Sequence, residues 1–418
     1  MKKQYVRSER AHYMCPNMHF GIAFQPSGVY NQDKLRAVLD RLAAAHPFLQ
    51  CLIAQEENGA LYYAPQNSST VTLTVRSETD DLWADYRAIG KTEWNVFRSG
   101  MLKVYVYPAA DGTFRVLFVA HHLLCDGRGL LRLVCEFADD YGEGKVPAYV
   151  EEELITSIAD LPPKSDLSGI SKWLVRWANK KWQKENHRVS YEDYAVFAEK
   201  FAAENPFDFR NCTVNVDKMT EIRAWCRKQH VSVNDYLMTV LYEAANTEKI
   251  VIGADVRPDV SCYHPGAMGN YSSAIGIVCP KKPGTLAERA QKVRDIVAKS
   301  VKQNEVRLLV LACYLNMNPD LLDAVAIATL GGFSSDAAKF VGTAMFGFAA
   351  RHGVSMTNLG QVKNPNIQSA MFIPPLSPSA KEVLGVLTMN GQMNITAGFY
   401  TDFVPAAEMQ AQLDAFVR

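Results

Sequence analysis

The sequence predicts a mixed α/β protein, and three observations support this class. The chain has 418 residues, a length that suits two or three domains. With 48% hydrophobic and 21% charged residues, its composition is that of a globular protein. Segments with the apolar period of helices alternate with short strand-like runs in both halves of the chain. We therefore expect sheets packed against helices.

The first 142 residues predict helices and strands in alternation. Residues 31–46 repeat apolar side chains at helical spacing, and Pro47 stops the run. Strand-like runs follow at 48–54, 101–107 and 114–120, the last two joined by a turn containing Asp111-Gly112. A helix with one apolar face follows Gly127, and we expect Gly142 to end it.

The middle of the chain, from about 143 to 209, differs in composition. Charged and Pro/Ser-rich pieces alternate with a Trp- and Lys-rich stretch at 173–184. We interpret this region as a partly helical linker and crossover between two halves. The basic stretch could approach a phosphate-bearing donor, but a solvated helix face is the default interpretation.

The second half returns to the alternating pattern. Ser232-Val-Asn-Asp235 is typical of a helix start, and Thr285 with Glu288 forms a capping-box pattern before a long amphipathic helix. The remaining runs predict strands at 249–256, 271–279 and 354–359, and a hairpin over 382–403 that turns at Asn390-Gly391.

Charge and cysteine content exclude several classes of protein. Lys plus Arg and Asp plus Glu number 44 each, so nucleic acids, membrane surfaces and anionic polymers are disfavoured as partners. Nine cysteines without a C-x-x-C pair indicate a reduced, intracellular protein. The amino terminus has no signal-like apolar core. Apolar stretches at 324–335 and 340–350 are shorter than the ~20 residues of a membrane span. We expect a cytoplasmic protein without a transmembrane segment.

The most informative segment runs from Phe118 to Gly127. Two histidines, His121 and His122, close an apolar strand, and Asp126-Gly127 precede a helix. A histidine at a strand end can act as general base and then as general acid, because its ordinary pKa lies near neutrality. Gly127 suits a chain reversal that a β-carbon would hinder. The positive end of the following helix favours an anionic group at this turn.

This segment reads H-H-x-x-x-D-G and resembles the signature of the chloramphenicol-acetyltransferase-like superfamily. That superfamily includes condensation domains of peptide synthetases, plant acyltransferases, wax-ester synthases and alcohol acetyltransferases. Further segments resemble the superfamily in the same order along the chain: 45–49 (H-P-x-L), 231–235 (T-x-N-D), 253–258 (D-x-R-P), 268–271 (G-N) and 357–360 (S-N-L-G). No D-F-G-W-G occurs, which argues against the plant branch.

The resemblance implies two chloramphenicol-acetyltransferase-like lobes that form a pseudo-dimer with a tunnel between them. We place the amino-terminal lobe at 1–165, the crossover at 166–189 and the carboxyl-terminal lobe at 190–418. His122 would lie near the middle of the tunnel, reached by donor and acceptor from opposite sides.

The resemblance also implies roles for individual residues. His122 would take the proton from the acceptor, His121 and Gly127 would be structural, and Asp126 would pair with Arg257. The oxyanion or the substrate would be bound by one or more of the polar residues Asn270, Ser272, Ser273, Ser355 and Asn358. No metal and no permanently bound cofactor is implied, because acyl-CoA or the phosphopantetheine of an acyl carrier protein is a cosubstrate.

Several functional readings remain open at this point. The first is an acyltransferase that moves an acyl group from acyl-CoA to an alcohol or amine, as alcohol acetyltransferases do. The second is a stand-alone condensation-type domain with an acyl carrier protein as partner. The third is a non-catalytic recruitment module of the same fold. A hydrolase is disfavoured because no G-x-S-x-G occurs.

Three features of the sequence have alternative explanations. Neighbouring strand residues point to opposite faces, so the two histidines are poor joint metal ligands. Cys125 is expected to be a buried thiol rather than a nucleophile. The apolar segments 321–330 and 340–350 could line a channel for an acyl chain, but core packing is the simpler interpretation.

Overall fold

The computed structural model describes residues 3–91, 94–281 and 283–417. Strands and helices alternate along these ranges, as the sequence predicts. The strands are β1 (His19–Pro26), β2 (Cys51–Gln55), β3 (Leu61–Pro65), β4 (Thr72–Val75), β5 (Leu102–Pro108), β6 (Phe114–His121), β7 (Phe207–Val214), β8 (Lys249–Asp255), β9 (Ser272–Val278), β10 (Gly353–Val362), β11 (Ile367–Ile373), β12 (Ala380–Met389) and β13 (Gln392–Tyr400). The helices are α1 (Arg10–Tyr13), α2 (Gln32–Ala45), α3 (Leu82–Lys91), α4 (Gly127–Glu143), α5 (Gly169–Glu185), α6 (Tyr191–Glu204), α7 (Val216–Gln229), α8 (Val233–Ala244), α9 (Leu286–Lys302), α10 (Asn304–Arg307), α11 (Leu309–Asn316), α12 (Pro319–Thr329), α13 (Asp336–Ala344) and α14 (Ala406–Val417). The predicted mixed α/β class is confirmed.

Two mixed sheets organise the two lobes. The amino-terminal sheet has the order β11-β1-β6-β5-β4, and the carboxyl-terminal sheet has the order β7-β13-β12-β10-β8-β9. A separate hairpin pairs β2 with β3. In the amino-terminal lobe, edge-to-face ring contacts between Phe24, Phe118 and Phe137 join β1, β6 and α4. These apolar contacts hold β6, and with it the His121-His122 pair, against its neighbours.

The division of the chain at residue 190 needs a correction. Strand β11 belongs to the carboxyl-terminal half of the sequence but pairs antiparallel with β1 in the amino-terminal sheet. Helix α6 also packs its aromatic residues Tyr191, Tyr194, Phe197 and Phe201 into the amino-terminal core. The carboxyl-terminal half of the sequence therefore contributes a strand and a helix to the amino-terminal lobe, which a composition shift along the sequence does not reveal.

Predicted elements and observed elements differ mainly at their ends. The helix at 31–46 is α2, capped by the Asn31 side chain, and the hairpin turning at Asn390-Gly391 joins β12 to β13. The predicted strand at 48–54 begins instead with a short helical turn at Pro47–Gln50, because proline suits the first position of such a turn. Helix α4 continues through Gly142 and ends at Gly144, which has a φ of 71°. The predicted crossover at 166–189 is largely α5.

The two apolar stretches of the carboxyl-terminal half lie mainly in α12 and α13. Their buried residues pack against α5 in one cluster that includes Val175, Trp182, Leu321 and Val341. In the described ranges, no helix combines the length and the apolar character that crossing a bilayer requires. On the opposite side, α5 exposes Ile170, Trp173 and several cations to solvent.

His46, in the H-P-x-L segment, holds three parts of the amino-terminal lobe together. Its Nδ1 lies 3.0 Å from Glu152 Oε1, and its Nε2 lies 2.7 Å from Glu136 Oε2. Glu152 also accepts a hydrogen bond from the backbone N–H of Phe48 at 2.7 Å. Burial disfavours the imidazolium, but hydrogen bonds to the two carboxylates outweigh it and raise the pKa of His46 to about 9.

The raised pKa of His46 predicts a specific pH dependence of stability. The unfolded value is 6.5, so the stabilisation is fully present below that pH and is lost as the pH rises through about 9, a total of about 3 kcal/mol. We expect the free energy of unfolding of the wild type, measured in urea, to fall by about 3 kcal/mol more between pH 6 and pH 10 than that of His46→Gln. Parallel pH profiles for the two proteins would contradict the charged imidazole.

Candidate active site

His122 lies directly after β6, at the point where two cavities meet between the lobes. Its backbone N–H donates to Met18 O at 2.9 Å, which fixes the turn. One cavity has a volume of about 200 Å³ and the other of about 100 Å³, and the His122 side chain lines both. The imidazole is partly exposed to this space. The imidazole therefore borders both cavities.

Asn270 fixes the orientation and the tautomer of His122. The Asn270 Nδ2 donates to the backbone carbonyl of His122 at 2.7 Å, and the Asn270 Oδ1 lies 2.8 Å from His122 Nδ1. A carbonyl can only accept, so the amide oxygen must face the ring and accept from Nδ1–H. The proton of the neutral imidazole then resides on Nδ1, and the Nε2 lone pair is free. This is the tautomer that a general base needs.

Two further rings surround the His122 imidazole. His12 stacks on it with ring centroids 4.3 Å apart, and Phe20 contacts it edge to face at 5.0 Å. Burial lowers the pKa of His122 below its ordinary value of 6.5. The ring is therefore neutral at neutral pH and ready to accept a proton.

Asp126 and Arg257 form the ion pair that the resemblance implies. Arg257 Nη2 donates to Asp126 Oδ1 at 2.7 Å, and the two side chains are only 11% and 5% exposed. Asp126 also accepts from the backbone N–H groups of Gly129 and Tyr271, both at 3.0 Å. Burial opposes the charge on Arg257, but Asp126 outweighs it and raises the pKa of the guanidinium. Asp126 thus caps α4 and joins it to the loop before β9.

Gly127 is required for packing rather than for the expected chain reversal. It is the first residue of α4 and does not have a positive φ. A β-carbon there would lie 2.7 Å from Leu359 Cδ2 and 3.3 Å from Phe372 Cζ. Any larger residue would force the side chains of Leu359 and Phe372 to move.

His121 faces away from His122, as strand alternation requires. Its ring contacts Trp94 edge to face at 5.6 Å, and its Nδ1 accepts from the backbone N–H of Leu123 at 3.2 Å. Burial lowers the pKa of His121 to about 3. This uncharged, enclosed ring has a structural position.

The five residues proposed for the oxyanion or the substrate have different environments. The side chain of Asn270 is hydrogen-bonded to His122. Asn358 Nδ2 donates to Asn234 Oδ1 at 3.3 Å, and Asn358 Oδ1 accepts from the backbone N–H of Gly360 at 2.8 Å. Ser273 lies on the face of β9 that carries Ile275 and Ile277 into the carboxyl-terminal core, but it also lines the larger cavity, and its buried Oγ has no hydrogen-bond partner among the described residues. The amides of Asn270 and Asn358 are thus engaged by protein groups, whereas the Ser273 hydroxyl is not.

Ser272 and Ser355 do face the cavities. Ser272 lines both cavities and Ser355 lines the larger one. Thr357, two residues after Ser355 on the same face of β10, also lines both. Within the described ranges, no hydrogen-bond partner is found for the hydroxyls of Ser272 and Thr357. Both therefore remain available to a ligand beside His122.

Sequence reasoning missed four residues that form the site: His12, Gly253, Tyr314 and Thr357. Thr357 could have been found from its alternation with Ser355. Gly253 lines both cavities, and a β-carbon there would approach only Thr357 Cγ2, at 3.9 Å, so it leaves their junction open. His12 and Tyr314 come from α1 and α11, and no pattern in the sequence connects them with His122.

Cys125 and a group of possible metal ligands lie apart from this chemistry. Burial raises the pKa of Cys125 well above that of an ordinary thiol, so it stays protonated. In the part of the chain described, one group with metal-ligand spacing is found, at Glu151, Glu153 and His264, with ligand atoms within 4.8 Å of one another. His122 does not belong to it.

Comparisons with known proteins bear on the fold of the chain. No family profile matches the chain. Over 126 residues, 30% of this chain, it is 26% identical to a probable non-canonical nonribosomal peptide synthetase of Salinispora arenicola, of which the match covers 2%. The chain thus spans only a small part of that curated relative.

Solved structures match the whole chain at low identity. The first condensation domain of the CDA synthetase has a TM-score of 0.63 at 12% identity, covering 99% of this chain and 94% of that domain. Polyketide synthase associated protein 5 from Mycobacterium tuberculosis has a TM-score of 0.61 at 14% identity, covering 99% and 96%. The epimerization domain from the third module of tyrocidine synthetase B has a TM-score of 0.58 at 14% identity, covering 99% and 92%.

These similarities establish the fold of the chain. The chain has the chloramphenicol-acetyltransferase-like architecture, with two sheet-containing lobes arranged as a pseudo-dimer. More particularly, its fold is that of the condensation domains of peptide and polyketide synthetases.

Proposed function

We propose that this chain is an acyltransferase that moves an acyl group from a thioester to an acceptor hydroxyl or amine. The observation that carries the proposal is the free Nε2 of His122 at the meeting point of two cavities, with Nδ1 held by Asn270. Two reactants entering by separate cavities would meet at one base. Holding both in place makes the reaction effectively unimolecular.

The transfer is direct. His122 Nε2 takes the proton of the acceptor as its oxygen or nitrogen attacks the thioester carbonyl. The tetrahedral intermediate then expels the thiolate, which takes that same proton back from the imidazolium. No acyl-enzyme is needed, and the protonated Cys125 is unsuited to form one.

The negative oxygen of the intermediate needs a hydrogen-bond donor. Ser272 and Thr357 are placed for this role, since both line the two cavities together with His122 and both have hydroxyls free for a ligand. They come from β9 and β10, strands whose positions are fixed by the carboxyl-terminal sheet. A donor on a rigid strand needs little reorganisation during the reaction.

We expect Thr357→Val to lower kcat by about 10²-fold, because the variant keeps the shape of the side chain but removes the donor. Ser272→Ala should act in the same direction. Thr213→Val is the matched control, since Thr213 is exposed on β7 and lines neither cavity. Steady-state kinetics of thiol release would measure all three, and equal rates for wild type and both donor variants would remove these hydroxyls from the mechanism.

The donor carries a thioester on a pantetheine arm, which acyl-CoA and acyl carrier proteins share. Acyl-CoA is our proposed donor, and the similarity to condensation domains supports a carrier protein as the alternative. Thiol release would be measured with acyl-CoA of several chain lengths and with the same acyl groups on a carrier protein, each with a panel of alcohols and amines.

The proposal expects release with at least one donor and its loss in His122→Ala. The thioester that releases thiol, acyl-CoA or the acylated carrier protein, identifies the donor. No turnover with any donor and acceptor, together with specific binding of another protein, would show instead a non-catalytic recruitment module.

A further inference from the structure

The 200 Å³ cavity beside His122 has an uncharged lining. Its walls come from α1, α11 and the facing edges of β8, β9 and β10. Among its described lining residues there is no Asp, Glu, Lys or Arg. Apolar residues such as Val251, Leu311 and Val383 alternate with hydroxyl and imidazole groups. The cavity is also smaller than the roughly 300–1,000 Å³ typical of sites for drug-sized molecules.

Several polar side chains in this cavity are not used by the proposed mechanism, and two of them, His12 and Tyr314, carry aromatic rings next to each other. The ring of Tyr314 contacts His12 edge to face, with centroids 6.3 Å apart, and both residues line the cavity. Among the residues that the structure describes, none hydrogen-bonds to the ring nitrogens of His12 or to the hydroxyl of Tyr314. Polar atoms next to a cavity, without protein partners, are positioned for a ligand.

The stack of the two imidazoles connects these groups to the reaction centre. His12 lies face to face with His122 at 4.3 Å, so an acceptor bound at His122 Nε2 has its neighbouring substituent beside the edge of His12. A hydrogen-bonding substituent would satisfy His12 or Tyr314. A plain hydrocarbon would leave both unpaired.

We propose that this cavity binds the acceptor, and that the acceptor is a small uncharged alcohol with a second hydroxyl next to its nucleophile. The inference rests on the proposed function and assigns His12 and Tyr314 as specificity-determining residues. The product would be an ester.

The absence of charge in the lining argues against other acceptors. An aliphatic amine, with a pKa near 10 like that of lysine, is an ammonium at neutral pH. In this cavity the ammonium would lose part of its hydration and would find no carboxylate among the lining residues to replace it. An acceptor with a free carboxylate would lack a cation in the same way. A simple alkanol fits sterically, but leaves polar groups unsatisfied, which is how hydrogen-bonding sites reject such analogues.

Ligand binding tests the inference without requiring turnover. Propylene glycol, n-propanol and alaninol differ only in the substituent beside the primary alcohol, being a hydroxyl, a hydrogen and an amine. Saturation-transfer NMR on the full chain at neutral pH should show propylene glycol binding about 3- to 10-fold more tightly than n-propanol, the usual range for one neutral hydrogen bond. Alaninol should bind more weakly than propylene glycol.

The variants His12→Phe and Tyr314→Phe keep the aromatic rings and remove the polar atoms. Each should reduce the preference for propylene glycol over n-propanol while n-propanol binding changes little. Tyr149→Phe is the control, because Tyr149 is 65% exposed on the surface. Equal binding of the glycol and propanol, tighter binding of alaninol, or an unchanged preference in both variants would overturn the inference.

Kinetics separate this inference from the proposed function. If thiol release occurs equally with alkanols and diols, or best with amines, the acyltransferase proposal stands and the assignment of the acceptor fails. If no donor is turned over while the glycol preference depends on His12 and Tyr314, the assignment of the cavity stands and the proposed acyl transfer fails.

Discussion

His122→Ala is expected to lower the rate of thiol release by about 10²- to 10⁴-fold, the usual contribution of a positioned acid–base group. The loss should appear in kcat, because the side chain acts on the proton in transfer rather than on the binding of either reactant. The free energy of unfolding should change little, since the imidazole is partly exposed to the cavities. Thiol release and urea unfolding on the same preparations would test both statements.

His187→Ala is a suitable control, because His187 is exposed and lies outside both cavities. In the wild type, the acid limb of the pH–rate profile should lie below pH 6.5, because burial lowers the pKa of His122. Wild-type rates in His122→Ala, or an acid limb well above that pH, would contradict a neutral imidazole as the general base.

Asp126→Ala is expected to destabilise the fold by about 3–5 kcal/mol, the usual cost of breaking one side of a buried ion pair. The variant would leave the guanidinium of Arg257 buried, and would remove the acceptor for the backbone N–H groups of Gly129 and Tyr271. Both the yield of folded protein and the activity should fall. Urea unfolding monitored by tryptophan fluorescence would measure the change.

Asp255→Ala provides the matched control for Asp126. Asp255 accepts from the same Arg257 at 3.2 Å, but its side chain is 25% exposed, so water can replace much of the lost interaction. Asp255→Ala should therefore lower the free energy of unfolding by much less than Asp126→Ala does. A soluble Asp126→Ala with full activity and an unchanged unfolding midpoint would contradict the structural role of the pair.

The sequence was sufficient for the elements whose signals are local. The apolar period and Asn31 predicted α2, Asn390-Gly391 predicted the β12–β13 turn, and the H-H-x-x-x-D-G segment predicted where the imidazole, the ion pair and the start of α4 lie. Arg257 was reached only through the resemblance, because nothing in its own surroundings points to a residue more than one hundred positions away.

The remaining features depend on contacts between distant segments. His12 is in a helix of four residues, too short for any periodicity, and only the tertiary fold stacks it on His122. The same applies to Tyr314, which reaches the larger cavity from α11 although its position is far from His122 in the sequence. Similarly, Asn270 could be recognised as polar and close to the site, but its bonds to both ends of His122 required coordinates.

The pairing of β11 with β1 has a consequence for how the protein is made. During synthesis, β1 leaves the ribosome more than three hundred residues before its outer neighbour, which comes from residues 367–373. Until then the apolar β1 has an uncovered hydrogen-bonding edge, the kind of surface that pairs wrongly with other chains. Expressing the amino-terminal half alone would make that temporary state permanent, so a truncated gene product should aggregate instead of yielding an isolated lobe.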